Sequence, residues 1–128
     1  MPWWAAAYTI ALLGLSASGL LDDRRDGRSL WYLSTGFLSA ACSLLMVVAY
    51  WVEPLAQGLG LGVAALLVYA IAWDTWSTAL DLRSIDGDPD LSDEERGLYG
   101  RCGVIFSAVV LAPAYGCGLL LLLDRLSG

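Results

Sequence analysis

One acidic residue, Asp74, interrupts an apolar stretch that runs from Leu59 to Leu80. Counted inward from Asp81, it lies about two helical turns, or roughly 10 Å, inside this stretch if the stretch is helical. An ionisable side chain at such a depth in a membrane segment usually faces other helices and marks an ion pathway, a proton relay or a polar contact with a partner. Asp74 is therefore a candidate proton- or cation-binding carboxylate.

Hydroxyl side chains recur at the same depth as Asp74 in the other apolar segments. A spacing of four residues places successive side chains on one face of a helix, and Thr35 and Ser39 are related in this way. The predicted polar site consists of Asp74, Thr35, Ser39, Thr78 and Ser107. Such a layer could bind a proton or a cation, or it could join helices by hydrogen bonds without further function.

Two other groups of aspartates lie between the apolar segments. The first spells D-D-x-x-D and the second D-G-D-P-D; their members are Asp22, Asp23, Asp26, Asp86, Asp88 and Asp90. Carboxylates are the hard oxygen ligands that Mg²⁺ prefers. Two Asp-rich motifs on one membrane face resemble the arrangement in membrane prenyltransferases, which bind diphosphate through magnesium, although those enzymes contain many more helices. The resemblance implies a magnesium-dependent enzyme acting on a lipid or isoprenyl diphosphate.

A simpler interpretation of the first Asp-rich motif is a solvated turn. Arg24, Arg25 and Arg28 alternate with its aspartates and could pair with them, and Gly27 suits a tight turn. The second motif places aspartates at EF-hand positions 1, 3 and 5, but Leu91 and Gly97 occupy the positions that need Gly and Glu. Both alternatives, a metal site and acidic loops without metal, therefore stay open.

The composition excludes several kinds of chemistry. The chain has no histidine and no lysine, so it offers neither a histidine ligand for haem or metal nor a lysine for a Schiff-base cofactor. Its net charge is −6, which argues against a nucleic-acid partner because phosphate binding needs a basic surface. No cofactor is predicted beyond Mg²⁺ or a bound lipid, and the sequence favours a role other than catalysis.

The elements that position these residues follow from four apolar runs. Apolar residues make up 58% of the 128 residues, and each run approaches the ~20 residues that a helix needs to cross a bilayer. We therefore predict an all-α integral membrane protein, a four-helix transmembrane bundle in one domain, 1–128. The predicted helices are 3–21, 30–52, 59–80 and 92–123, and the predicted cytoplasmic loops are 22–29 and 81–91.

The arginines predict the orientation of this bundle. Six of the seven arginines lie in or beside loops 22–29 and 81–91, and the remaining one, Arg125, is near the C-terminus. Positively charged residues concentrate on the cytoplasmic side of membrane proteins. The prediction is therefore N-out and C-out, in the inner membrane of a bacterium or an archaeon.

Small residues and a proline mark where the helices should pack. Gly36, Gly58, Gly62 and Gly103 belong to pairs of small residues four positions apart, which let helix backbones approach closely. Pro113 lies inside the last helix and should kink it. Residues 92–95, S-D-E-E, form a predicted capping box at the start of that helix.

Three functions remain open from the sequence. The leading hypothesis is a non-catalytic subunit or assembly factor of a larger membrane complex, with lipid and other membrane subunits as partners. The second is a homo-oligomeric channel or transporter for an ion or small solute that uses Asp74. The third is the magnesium-dependent enzyme.

Overall fold

The computed structural model describes all 128 residues and is entirely helical. Its helices are α1 (Trp3–Arg25), α2 (Leu30–Trp51), α3 (Glu53–Leu59), α4 (Gly62–Asp86) and α5 (Asp93–Ser127). The prediction of an all-α fold is confirmed. Helices α1, α2, α4 and α5 are each long and apolar enough to cross a membrane, which is the character expected of a membrane protein.

The helix ends differ from the predicted boundaries in two respects. The residues after Val52 form a short helix, α3, that no apolar run predicts, and Pro54 fits its first turn, where the missing N–H of proline costs nothing. Helices α1, α4 and α5 continue beyond Leu21, Leu80 and Leu123 as far as Arg25, Asp86 and Ser127. The arginines and leucines of these extensions are good helix formers, and a helix that has already formed propagates more easily than it starts, so the polar loops are shorter than predicted.

Side-chain caps begin two of the long helices. The Ser92 hydroxyl accepts a hydrogen bond from the Glu95 amide at 3.2 Å, and the Ser92 amide donates to Glu95 Oε2 at 3.2 Å. The predicted capping box is thus confirmed, and it fixes the start of α5. Ser29 caps α2 in a simpler way, by accepting from the Tyr32 amide at 3.2 Å.

Helix α2 lies at the centre of the bundle and packs against each of the other four helices. It contributes the most buried residues, among them Cys42, Met46 and Val47. Only 17 of the 128 residues are buried, and large apolar side chains such as Ile10 and Val109 point outward. An apolar outer surface of this extent suits contact with lipid, because in water it would promote aggregation.

Glycines bring the helices close at positions other than most of those predicted. A Cβ atom on Gly36 would lie in ordinary contact, 3.6 Å from Leu20 Cδ2. Gly58, Gly62 and Gly103 have no such neighbour within 4 Å, although Gly103 borders a small cleft between α5 and α4. The closest approach instead involves Gly118 of α5, against α2 and α4.

Pro113 lies within the continuous helix α5. Proline has no N–H, so the carbonyl four residues earlier, that of Val109, lacks its helical donor. The Tyr8 hydroxyl of α1 donates a hydrogen bond to the next carbonyl, that of Val110. This bond ties α1 to α5 beside the proline.

Candidate polar site around Asp74

Asp74 of α4 is the centre of a hydrogen-bonded group that joins three helices. The Ser39 hydroxyl of α2 donates to Asp74 Oδ1 at 3.0 Å, and the Tyr115 hydroxyl of α5 donates to Asp74 Oδ2. Ser39 is only 2% exposed. A carboxylate accepts hydrogen bonds through both oxygens, so two neutral donors hold the Asp74 side chain in place without an opposing charge.

An apolar cluster next to this group fixes its geometry. Cys42 and Met46 of α2 pack against Leu67 and Ala70 of α4, and Tyr115 packs on the same cluster. Residues three or four positions apart share a helix face, so Ser39 continues the Cys42 face and Asp74 continues the Ala70 face. Burial of the apolar residues therefore forces the polar side chains together.

Thr35 lies near the site but does not contact Asp74. Its hydroxyl donates to the carbonyls of Trp31 and Tyr32 in its own helix, at 2.8 and 3.0 Å. Its backbone carbonyl accepts a hydrogen bond from the Tyr69 hydroxyl at 2.9 Å. The predicted site residue Thr35 thus links α2 to α4 through its backbone, and its side chain is satisfied locally.

Thr78 and Ser107, the other two predicted site residues, lie on the opposite side of Asp74. Together with Asp74 and Tyr115 they line a cleft of about 360 Å³ between α4 and α5. Neither hydroxyl is hydrogen-bonded to the carboxylate. Asp74 and Tyr115 therefore form part of the wall of this cleft.

A second cavity, of about 190 Å³, lies between α1, α2 and α4 and extends from Asp74 to the charged end of the bundle. We use "charged end" for the end that carries residues 22–29 and 81–92. Asp23 and Asp81 line the cavity at this end, and Ser43 lines it beyond Asp74. The cavity wall thus contains three carboxyl groups from two helices.

Arg28 stands where this cavity meets the charged end. Its Nη2 atom lies 3.4 Å from Asp81 Oδ1, and its guanidinium carbon lies 4.8 Å from the ring centre of Tyr32. A cation above an aromatic face is attracted by the ring quadrupole. Arg28 therefore joins α2 to α4 at the mouth, whereas Asp23 and Asp74 are in no ion pair.

Aromatic side chains form one wall beside the cavity. Tyr32 and Trp73 line it directly, with ring centres 5.2 Å apart. Trp31 and Trp76 pack on these two rings from outside. The cluster gives the polar cavity a rigid aromatic side between α2 and α4.

The two Asp-rich motifs are arranged differently from one another. Asp23 faces the cavity, while Asp22 and Asp26 are exposed. In the second motif Asp88 Oδ1 accepts from the Asp90 amide at 3.0 Å, an Asx turn that orders the loop. No three acidic or cysteine side chains are grouped so that they could hold one metal ion. The predicted metal ligands Asp22, Asp23, Asp26, Asp86, Asp88 and Asp90 therefore do not converge.

Tyr115 is the functional candidate that the sequence did not reveal. Depth within the apolar segments places Ser107 beside Asp74, and Tyr115 lies about two helical turns further along its segment. Side chains of a helix point back toward its N-terminus, and the long phenol of Tyr115 reaches Asp74 in that direction. The depth of the Tyr115 hydroxyl, estimated from its backbone position, the tilt of its side chain and the length of tyrosine, would have identified it.

Comparison with known proteins leaves the interpretation to this geometry. No protein-family model matches the chain, and no curated protein or solved structure shows significant similarity to it.

Proposed function

We propose that the protein is an integral membrane protein that binds a cation or a proton at Asp74 and carries it as a small channel or transporter. The observation that supports this most directly is the opening of the Asp74 group to a cavity. Ser39 and Tyr115 hold the carboxylate, and Asp23 and Asp81 line the path from the charged end. Ion pathways and proton relays are among the sites that ionisable groups at this depth mark.

The proposed orientation places the charged end in the cytoplasm and both chain ends outside. Four of the seven arginines lie at the charged end, and Arg96 and Arg101 lie next to it in the first turns of α5, in agreement with the excess of positive charge on cytoplasmic loops. In this orientation the cavity opens toward the cytoplasm, in the inner membrane of a bacterium or an archaeon. Arg25→Cys and Ser127→Cys, each made in a variant whose native Cys42, Cys102 and Cys117 are replaced by serine, test the topology through labelling of intact cells with a membrane-impermeant thiol reagent. Ser127→Cys should be labelled and Arg25→Cys should not, and the reverse result would contradict the orientation.

Flux through reconstituted protein tests the proposed function. The full chain is incorporated into liposomes, and the uptake of protons and alkali cations is followed with entrapped indicator dyes. Asp74→Asn removes the charge while keeping the shape, so we expect flux to fall at least about tenfold, equivalent to ~1.4 kcal/mol. Asp124→Asn, at the exposed end of α5, is the matched control and should leave flux unchanged. Equal flux through the Asp74→Asn variant and the wild-type bundle would refute the proposal.

A second function, that of a non-catalytic subunit or assembly factor, is supported by exposed glycines on the outer surface of the helices. Gly58, Gly62 and Gly103 have open space where a Cβ atom would lie. Small residues of this kind allow another helix to approach closely, and here that helix would come from another chain, either a copy of this one or a different subunit. Native mass spectrometry of the protein extracted from its own membrane in mild detergent distinguishes the two functions. Different co-purifying chains would favour a subunit, and a closed homo-oligomer would favour the transporter.

A further inference from the structure

We infer that the cavity between α1, α2 and α4 binds a small organic cation, of the alkylammonium or guanidinium class, with its charged group toward Asp74. This inference rests on the proposed cation site at Asp74 and specifies its ligand. Cavity size, charge, aromatic wall and one unpaired buried hydroxyl point independently to this class.

The cavity is too small for large ligands and larger than the volume of a dehydrated ion. Its volume is about 190 Å³, below the roughly 300–1,000 Å³ of sites for drug-sized molecules. A water molecule occupies about 30 Å³ in the liquid, so the cavity has room for roughly six waters. A dehydrated alkali cation would leave most of this space unfilled, whereas a cation carrying a few carbon atoms would occupy it.

The charges around the cavity select a positive ligand. Asp23, Asp74 and Asp81 line it, and only Asp81 is paired with an arginine, Arg28. Asp23 and Asp74 are partly buried, and a carboxylate that has lost part of its hydration is stabilised by an opposite charge. A cationic ligand would supply that partner to Asp74 and, along the same cavity, to Asp23.

The aromatic wall favours an organic cation over an inorganic one. Trp73 and Tyr32 both line the cavity. Tryptophan and tyrosine faces attract ammonium and guanidinium groups, and they also cover alkyl carbons, which an alkali ion lacks. Arg28 already occupies a position above the Tyr32 ring, with its guanidinium carbon 4.8 Å from the ring centre. The chain itself thus shows the type of contact that a guanidinium or ammonium ligand would make.

Ser43 supplies an unused hydrogen-bonding group. It is 2% exposed and lines the cavity, and its hydroxyl has no partner within the chain. No side-chain oxygen that is completely inaccessible lacks a hydrogen-bond partner. The Ser43 hydroxyl has no partner, so it must keep some accessible surface, and the cavity that it lines provides this surface. A buried hydroxyl in this state is expected to bind water or a ligand. It can accept a hydrogen bond from the N–H group of an ammonium or guanidinium ion.

Calorimetric titration of the full-length protein in lipid nanodiscs tests the inference. The probes are the chlorides of guanidinium, ethylammonium and tetramethylammonium, with sodium chloride at the same ionic strength as reference. We expect at least one organic cation to bind at least about tenfold more tightly than sodium, a difference of ~1.4 kcal/mol. This comparison needs no variant, so it holds even where a substitution disturbs folding.

Three pairs of variants locate the binding site. Asp74→Asn should abolish detectable binding, and Asp124→Asn should not. Trp73→Leu should weaken binding about 5- to 30-fold, corresponding to ~1–2 kcal/mol for a desolvated cation–π contact, while Trp3→Leu should have no effect. Ser43→Ala should weaken binding of guanidinium or ethylammonium about 2- to 10-fold through one hydrogen bond; the exposed Ser18→Ala is its control.

The outcomes separate this inference from the proposed function. Proton or sodium flux that depends on Asp74, with no binding of any organic cation, would overturn the inference and leave the proposed function standing. Organic-cation binding that is unaffected by Asp74→Asn would overturn the inference as well, because the cation would then lie elsewhere. If neither inorganic flux nor organic-cation binding depends on Asp74, both proposals fail.

Discussion

Replacing Gly118 with alanine should separate α5 from its neighbours and disturb the Asp74 site. A Cβ atom at this position would clash with the Met46 sulfur and lie 3.2 Å from Leu67 Cδ1. Met46 is fully buried, so the clash is relieved only if its side chain repacks within the core or helix α5 shifts. Gly118 is one helical turn from Tyr115, and a shift of α5 would therefore pull the Tyr115 hydroxyl away from Asp74.

A neighbouring glycine separates the cost of the clash at Gly118 from the gain in helix propensity that alanine brings. Alanine gains roughly 0.5–1 kcal/mol over glycine inside a helix, and overpacking of a core costs about 1–3 kcal/mol. Gly116 lies in the same helix but has nothing within 4 Å of a Cβ position, so Gly116→Ala measures the helix gain alone. We expect Gly118→Ala to be ~1–3 kcal/mol less stable than Gly116→Ala.

Unfolding by sodium dodecyl sulfate in mixed micelles, followed by tryptophan fluorescence and circular dichroism, measures this difference. Met46→Ala alone should cost about 2–5 kcal/mol as a cavity mutation. In the Gly118→Ala background the same substitution should cost less, because the shorter side chain leaves room for the new methyl group, and this difference is a favourable coupling energy in a double-mutant cycle. Equal stability of Gly118→Ala and Gly116→Ala would refute the close packing of α5 on α2 and α4.

Three further predictions concern individual hydrogen bonds and ion pairs. Tyr115→Phe removes a hydrogen bond to the Asp74 carboxylate and should destabilise the protein by about 1–3 kcal/mol in the same unfolding assay, since a bond to a charged group is stronger than a neutral one; an unchanged stability would contradict the contact. Arg28→Gln should change stability by less than ~1 kcal/mol, because Asp81 is exposed and surface ion pairs contribute little. The same substitution should strengthen cation binding in calorimetry, since it removes a like charge from the cavity mouth. Weaker binding would contradict the location of Arg28 at the mouth. Ser92→Ala should destabilise the start of α5 by roughly 1 kcal/mol, visible as faster amide hydrogen exchange in the first turn, whereas Ser127→Ala should leave exchange there unchanged.

The sequence predicts the four long helices well because the apolar runs are long and continuous. Length and hydropathy alone identify a helix of membrane-spanning size, and the capping motif at Ser92 marks the start of α5 independently. Helix α3 escapes such reasoning because seven residues with a proline carry too little periodicity. The ends of α1 and α4 escape it as well, since hydropathy reports where the apolar stretch stops and not where the backbone hydrogen bonds stop.

Part of the polar site follows from helical periodicity and part does not. Ser39 and Asp74 could be placed at one depth, and the structure gives them a direct hydrogen bond. The sequence does not show which side of α4 faces α2, because this depends on packing. It therefore could not show that Thr78 and Ser107 line the cleft between α4 and α5, whereas Ser39 lines the cavity between α1, α2 and α4. The close-packed glycine could not be chosen either, because Gly103 and Gly118 look alike until the rotation of α5 about its axis is known.

The chemistry of the Asp74 group argues for a binding role beyond helix association. A carboxyl group among apolar helices lowers stability unless its partners compensate for lost hydration, and an apolar replacement of similar volume is often as stable or more so. A group that served only to join helices would be expected to close around its polar atoms, as Tyr69 and the Thr35 carbonyl do between α2 and α4. Asp74 instead borders two cavities, and the unpaired Ser43 hydroxyl lies in one of them. Space beside a held carboxylate, with a free hydroxyl and an aromatic wall, is what a reversible ligand requires, and it is the feature on which the cation proposal depends.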